Sequence, residues 1–289
     1  MQKQHDLLLR DRVRMAAYAK AIRAVVRPGD VVADLGTGTG ALAFLALAAG
    51  AAHVHAVEVE PRTLAIARAE AQRRGVADRI TFYAGLAQRV RPRTRVDVVI
   101  TETLGNLGLN ENIAAVLADA KQRWLKPRGR VIPQAITLTV APLRSMPRRR
   151  RYASGGIPSV AVTRQDLIGP PVNLGGKKSR TLLGGVIHRQ GVWEGRCRVR
   201  ITSSGQIVGF AGWFTVWLTD TISFTTAPSA TATHWGQALL PLRAPIAVRA
   251  GQRIALWLEI APDPSGLQSS VSYDLDLQPR RQVRRHSSA

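Results

Sequence analysis

The sequence predicts an α/β unit on a parallel-rich sheet, followed by an all-β, barrel-like unit. Three observations carry that prediction. Short apolar runs alternate with amphipathic helical runs as far as Ile132, the alternation by which crossover helices wrap a parallel sheet. After Pro133 the helical period disappears, and apolar runs separated by Gly, Pro, Ser and Asp take over, as in sandwiches and barrels. Between the first strand and the helix after it lies Asp34-Leu35-Gly36-Thr37-Gly38-Thr39-Gly40, whose glycines accept dihedral angles and close approaches that other residues resist.

In chain order, Leu7 to Val26 interleaves Leu, Val, Ala and Ile with Arg and Lys as an amphipathic helix does, and Pro28-Gly29-Asp30 ends it. Strands are expected at Val31 to Leu35, Val54 to Val59, Ile80 to Tyr83, Val96 to Glu102 and Val131 to Ile132, with helices at Ala41 to Ala49, Thr63 to Arg74 and Ile113 to Leu125. The β-rich part offers strands at Ile136 to Val140, Val192 to Ile201, Ile207 to Leu218, Ile254 to Ile260 and Val271 to Leu277. Pro147 to Ser179, rich in Arg, Gly and Pro, reads as an excursion or loop. The resulting division is 1–132, 133–278 and a basic, disordered tail at 279–289.

Composition narrows the function. A chain of 289 residues, 45% hydrophobic and 21% charged, suits a soluble globular protein with two cores. Its longest small-and-apolar run, Gly40 to Ala52, is shorter than the roughly 20 residues of a membrane helix. The start, Met1 to Asp6, lacks an apolar leader core, so a cytoplasmic location is expected. One cysteine, Cys197, excludes an internal disulfide and a multi-cysteine metal site. The net charge of +22 allows association with nucleic acid or another polyanion, or reflects Arg tolerated wherever a solvated cation fits.

The glycine-rich turn departs from the dinucleotide spacing. With its strand and helix it resembles motif I of the S-adenosylmethionine-dependent methyltransferases. Glu58, ending the second strand, falls where a nucleotide-binding fold offers a carboxylate to ribose hydroxyls.

A second constellation is Thr101 to Asn112, where Glu102 closes one strand, Glu111 precedes a helix, and a Gly/Asn turn joins them. Alone, the pair also reads as a solvated strand end and a dipole-complementing acid. As a site, two carboxylates suit a guanidinium, a planar permanent cation with a fork of donors. Drawing its charge to one side leaves a terminal nitrogen richer, to be aimed at a methyl sulfonium about 3–3.5 Å away.

With these residues the chain resembles the protein arginine methyltransferases along most of its length. It shares two acids nine positions apart, Thr233-His234-Trp235 followed by Gln237, Gly209 to Phe214 ahead of that loop, and the pattern His-x-x-(Met/Leu)-Leu-x-Asp-x-Val-Arg over His5 to Arg14. The resemblance implies a Rossmann-like cofactor unit with a β-barrel and S-adenosyl-L-methionine as cofactor. It implies that Arg14 holds the cofactor carboxylate, Asp34, Gly36, Thr37, Gly38 and Gly40 frame its methionine, Glu58 holds the ribose, and Gln88 stands where the family offers an acid to the adenine. Glu102 and Glu111 would clamp the substrate guanidinium, with His234 paired to Asp11 as proton outlet and no metal needed. The acceptor implied is an arginine of a protein, and a homodimer is the implied assembly. The family's Tyr-Phe-x-x-Tyr segment would precede His5, and 147–179 lacks the aromatic-apolar helix signal of its dimerisation arm. The other readings are N-methylation of a small guanidino or amino compound, and a non-catalytic basic scaffold on nucleic acid.

Overall fold

The computed structural model describes residues 11–154, 156–174, 181–182 and 192–277. His5 and the expected tail at 279–289 lie outside the described residues.

Arg12–Val25 forms helix α1, with Asp11 as N-cap. Arg14, Tyr18, Ala21 and Ile22 are its buried residues, spaced as one helical face. The parallel sheet follows: β1 (Val31–Leu35), β2 (His53–Glu58), β3 (Ile80–Ala84), β4 (Val96–Thr101) and β5 (Leu125–Ile132), in the order β3-β2-β1-β4-β5. Its crossovers include α2 (Ala41–Ala48), α3 (Pro61–Arg73) and α4 (Ile113–Arg123). Strands β1 and β4 are buried along nearly their whole length, as expected of a sheet covered on both faces. Expected and observed ends mostly agree within two residues. β5 begins at Leu125, well before the expected Val131, because Lys126, Pro127, Arg128 and Gly129 hid it from any apolar pattern.

The sheet changes across a cis Ile132–Pro133 peptide. From Ala135 the chain is antiparallel. Strands β6 (Ala135–Leu143), β7 (Arg148–Ser154), β8 (Ile157–Ala161), β12 (Gly205–Trp217) and β14 (Gln237–Val248) share one sheet with the short β9 (Val172–Asn173), β10 (Thr181–Leu182) and β13 (Ser223–Thr225). Strands β11 (Trp193–Arg200), β15 (Arg253–Pro262) and β16 (Ser269–Asp276) form another. The fold class is therefore a Rossmann-like parallel core followed by an antiparallel β-rich region.

Strands β7, β8 and β14 differ from the sequence expectation. Within 147–179, expected as an excursion or loop, β7 and β8 pair as a hairpin. An arginine run shows no apolar alternation, yet β7 ends the sheet order. β14 was not expected, because Pro241 and Arg243 interrupt it. Pro241, which has no N–H to give the ladder, falls opposite Gly209 beside an irregularity between Ile207 and Gly209.

The two parts share one hydrophobic core, from Tyr18 through the parallel sheet to Phe214, Phe224, Trp235 and Ile260. The Tyr18 and Phe224 rings lie 6.3 Å apart, and Trp235 stacks on Phe224 at 5.9 Å. Among the described residues no helix is long and apolar enough to cross a membrane.

Candidate active site

The chain winds from β1 to β3 on one side of the sheet, then crosses back to β4 and β5 on the other. The carboxyl ends of β1 and β4 therefore border the crevice where open α/β sheets bind ligands. Leu35 and Thr101 pair in register, so Gly36 and Glu102 leave the sheet as neighbours. A Cβ on Gly36 would lie 3.0 Å from the Thr103 methyl. The Thr101 hydroxyl donates to the Leu35 carbonyl at 2.7 Å, and the Tyr18 hydroxyl to the Thr101 carbonyl at 3.0 Å.

The crevice is a cleft of about 380 Å³. Its lining includes Gly36 to Thr39, Glu58 with Gly85 to Gln88, and Arg14, Met15, Glu102, Thr103 and Glu111. The turn residues Gly36, Gly38 and Gly40 have φ of +79°, +57° and +89°, the left-handed region that favours glycine. Glu58 locks the turn, accepting from Gly38 N–H and Glu60 N–H, both at 2.9 Å.

Most candidate residues line this cleft, and others stand one layer behind. Asp34 is fully buried and accepts from the Thr37 hydroxyl at 2.6 Å. Burial pushes its pKa up to about 7, against hydrogen bonds from Thr37 and the Ala43 amide, with Glu58 and Glu102 adding repulsion. Gly40 is the left-handed N-cap of α2. Neither Asp34 nor Gly40 is among the lining residues; they support the turn from behind. Asp11 and His234 also stand outside the lining. Asp11 Oδ1 accepts from Arg14 N–H at 3.0 Å, capping α1, while Oδ2 accepts from His234 N–H at 3.0 Å and lies 2.8 Å from its Nδ1. Burial works against the Asp11 charge, but these bonds prevail and lower its pKa.

Arg14 and Glu102 form a buried ion pair through Nη1 and Oε2. The Glu102 pKa is raised, first by burial and also by Glu111, while Arg14 and His234 oppose the rise. An acid held this way gains most from a further cation.

The loop between the two acids is fixed by its asparagines. Asn110 Oδ1 accepts from Leu107 N–H at 2.8 Å, Asn110 Nδ2 donates to Asn106 Oδ1 at 3.2 Å, and Asn106 Nδ2 donates to the Ile157 carbonyl at 2.9 Å. A Cβ on Gly105 would lie 2.5 Å from Asn110 Oδ1. Sequence reasoning missed Met15, Thr103 and the turn Gly266-Leu267-Gln268, which all line the cleft. The last comes from the far end of the chain and carries no motif.

The residues present fit S-adenosylmethionine. Glu58 has two amides on a carboxylate with about four acceptor sites, leaving room for two ribose hydroxyls. The left-handed glycine turn gives close backbone approach. The two carboxylates open on the same space, as transfer to a cation requires.

Two family models match in chain order: a methyltransferase domain over residues 32–129 and the arginine methyltransferase oligomerization subdomain over residues 190–280. The probable protein arginine N-methyltransferase 6 of Arabidopsis thaliana is 33% identical over 141 residues, covering 48% of this chain and 32% of that protein. Protein arginine N-methyltransferase PRMT10 of the same plant is 28% identical over 87% of this chain and 78% of its own length. Against the curated relatives matched with the plant proteins 6, 6.1 and 1.4, the chain spans 32–42% of their length. Among solved structures, the Trypanosoma brucei PRMT1 enzyme–prozyme complex with AdoHcy superposes with a TM-score of 0.80 at 20% identity, covering 96% of this chain and 94% of that one. Arabidopsis PRMT10 superposes with a TM-score of 0.75 at 22% identity over 95% and 97%. The glycine-rich turn, the paired acids and the Thr-His-Trp loop thus stand in a fold and domain order that this chain shares with these arginine methyltransferases.

Proposed function

We propose that this chain transfers the methyl group of S-adenosylmethionine to a terminal guanidino nitrogen of arginine in a protein. The observation that carries the reading is the opening of Glu102 and Glu111 onto the same cleft as the glycine turn and Glu58. When bound, the cofactor supplies an electrophilic methyl group. Gly36 to Gly38 and Glu58 hold its two ends, and Arg14, which lines the cleft and pairs with Glu102, faces the same space. Glu102 and Glu111 grip the guanidinium and draw its positive charge toward themselves, leaving the remaining nitrogen richer for in-line attack. The proton released after transfer leaves through His234 in its neutral form, with the imidazole oriented by the Asp11 carboxylate.

Residues 1–132 serve as the cofactor domain and 133–278 as the substrate domain, a division supported by the change of sheet between Ile132 and Ala135. The oligomerization subdomain match at 190–280 supports a homodimer. A reduced compartment, the cytoplasm, suits the buried free thiol of Cys197. The charge of +22 supports a polyanion as a partner outside the cleft.

The test is transfer from labelled S-adenosylmethionine into a cell lysate by wild type and Glu102→Gln, with amino-acid analysis of the product. Label in methylarginine with wild type, lost in the variant, is the expected result. Label in no arginine, or equal label with both proteins, overturns the reading.

A further inference from the structure

We infer that the turn between β15 and β16 is a working part of the active site, and that Asn112 is a positioning residue through which this turn fixes Glu111. The inference rests on the role proposed for Glu111.

Three features of Asn112 point the same way. It is the N-cap of α4, a position where an Asn side chain ordinarily accepts from the helix's own first amides, yet it makes no such bond. Instead its Nδ2 donates to the Gly266 carbonyl at 2.7 Å, across 154 residues of sequence. Its backbone is left-handed, at φ 63° and ψ 19°, a conformation that residues with a side chain resist and that Asn and Asp resist least. Its Oδ1 is buried with no hydrogen-bond partner among the described residues. A forgone cap, a left-handed backbone and an orphaned carbonyl all work against stability, and such arrangements persist where the surroundings enforce them, often at functional sites.

The other side of Glu111 is fastened beside the same turn. The N–H of Ser269, the first residue of β16, donates to the Asn110 carbonyl at 3.1 Å, so the residues before and after Glu111 bind the turn and the strand start that follows it. The turn is itself braced. Asp263 N–H donates to the Gln268 carbonyl at 2.9 Å, and Gly266 N–H donates to Asp263 Oδ1 at 3.1 Å. Gly266, Leu267 and Gln268 then line the cleft directly. The β-rich region therefore supplies both a wall of the cofactor cleft and the clip that sets the direction of the second acid. A clamp must be held to a fraction of an ångström to pay off in rate, because small misplacements cost up to about 100-fold.

The experiment compares wild type, Asn112→Gly, Asn112→Asp and Glu111→Gln. Glycine keeps the left-handed backbone and removes the tether; aspartate keeps size and backbone tolerance but replaces the donor with a second acceptor facing Gly266. Transfer from labelled S-adenosylmethionine to an arginine peptide, S-adenosylhomocysteine affinity by calorimetry, melting temperature, and amide exchange of 109–113 against 36–40 are measured for each. For Asn112→Gly the expected result is kcat lower by roughly 10–100-fold, with melting temperature and S-adenosylhomocysteine affinity held. Exchange should be faster at 109–113 and unchanged at 36–40. Asn112→Asp should fall at least as far, and it carries the test should the glycine variant fail to fold. Wild-type kcat in both variants overturns the inference. A wild type that methylates no arginine overturns the proposed function instead, and exchange at 109–113 then decides the tether: unaltered protection in both variants refutes it.

Discussion

Glu102 and Asp34 are both buried acids with raised pKa values, and the consequences have opposite signs. In the proposed reaction Glu102 must be ionised to grip a cation. Its pKa is raised by burial and by Glu111, so activity should fall with falling pH at values above the ordinary glutamate range. The acid limb of kcat/KM, followed with a peptide whose own groups do not titrate there, checks this. Glu102→Gln should lower kcat/KM by roughly 10²–10³-fold, as losing a charge that stabilises the transition state does. For Asp34 the readout is stability. With its folded pKa about 7 against an ordinary 3.8, the ligand-free folded state keeps a proton that the unfolded chain has released between those values. Stability therefore falls as pH rises through that window. Asp34→Asn should remove that fall, raising stability at pH 8 by on the order of a few kcal/mol. Melting curves from pH 5 to 8 decide it: parallel pH dependence in both proteins would clear Asp34 of the effect.

At the scale of elements, the loop between β4 and α4 joins the two halves of the protein. Gly108 has φ +80°, and a Cβ there would lie 2.6 Å from Ile136 Cδ1 and 2.8 Å from Phe214 Cγ. Gly108→Ala should cost roughly 2–4 kcal/mol, from overpacking and the left-handed backbone together. It should also lower kcat by moving Glu111, so denaturant melts and single-turnover rates should fall together. A variant with wild-type stability would show that the β6–β12 face yields at this point. This loop also marks what the sequence made legible. Its two acids were readable because their spacing and their place after an apolar strand and before a helix are local facts. So were the strands and helices of the parallel sheet, whose apolar runs are long. The tether from Gly266 to Asn112 was not, because it joins backbone to side chain across the chain without any motif. β14 and β7 were hidden for another reason: a proline at an irregularity and an arginine-rich edge strand fit the sheet through position, which no local pattern records.

At the scale of the molecule, one hydrophobic core crosses from α1 and the parallel sheet into the β-rich region, and the candidate site draws its lining from both parts. Charge acts on that site from outside. The chain carries +22 overall, while the cleft presents three acids, Glu58, Glu102 and Glu111, against one cation, Arg14. A basic peptide should therefore be repelled at range and attracted only close in, whereas an arginine flanked by acids is steered from the start. Surface fields of this kind fade over about 8 Å at physiological salt and extend further as salt is lowered. At low ionic strength, kcat/KM for an acid-flanked arginine peptide should exceed that for an arginine-rich one, and the gap should close as salt rises, with kcat for each nearly unchanged. Initial rates for the two peptides across a salt series measure this directly. An arginine-rich peptide favoured at low salt would mean that the acids of the cleft, rather than the net charge, govern the approach of substrate.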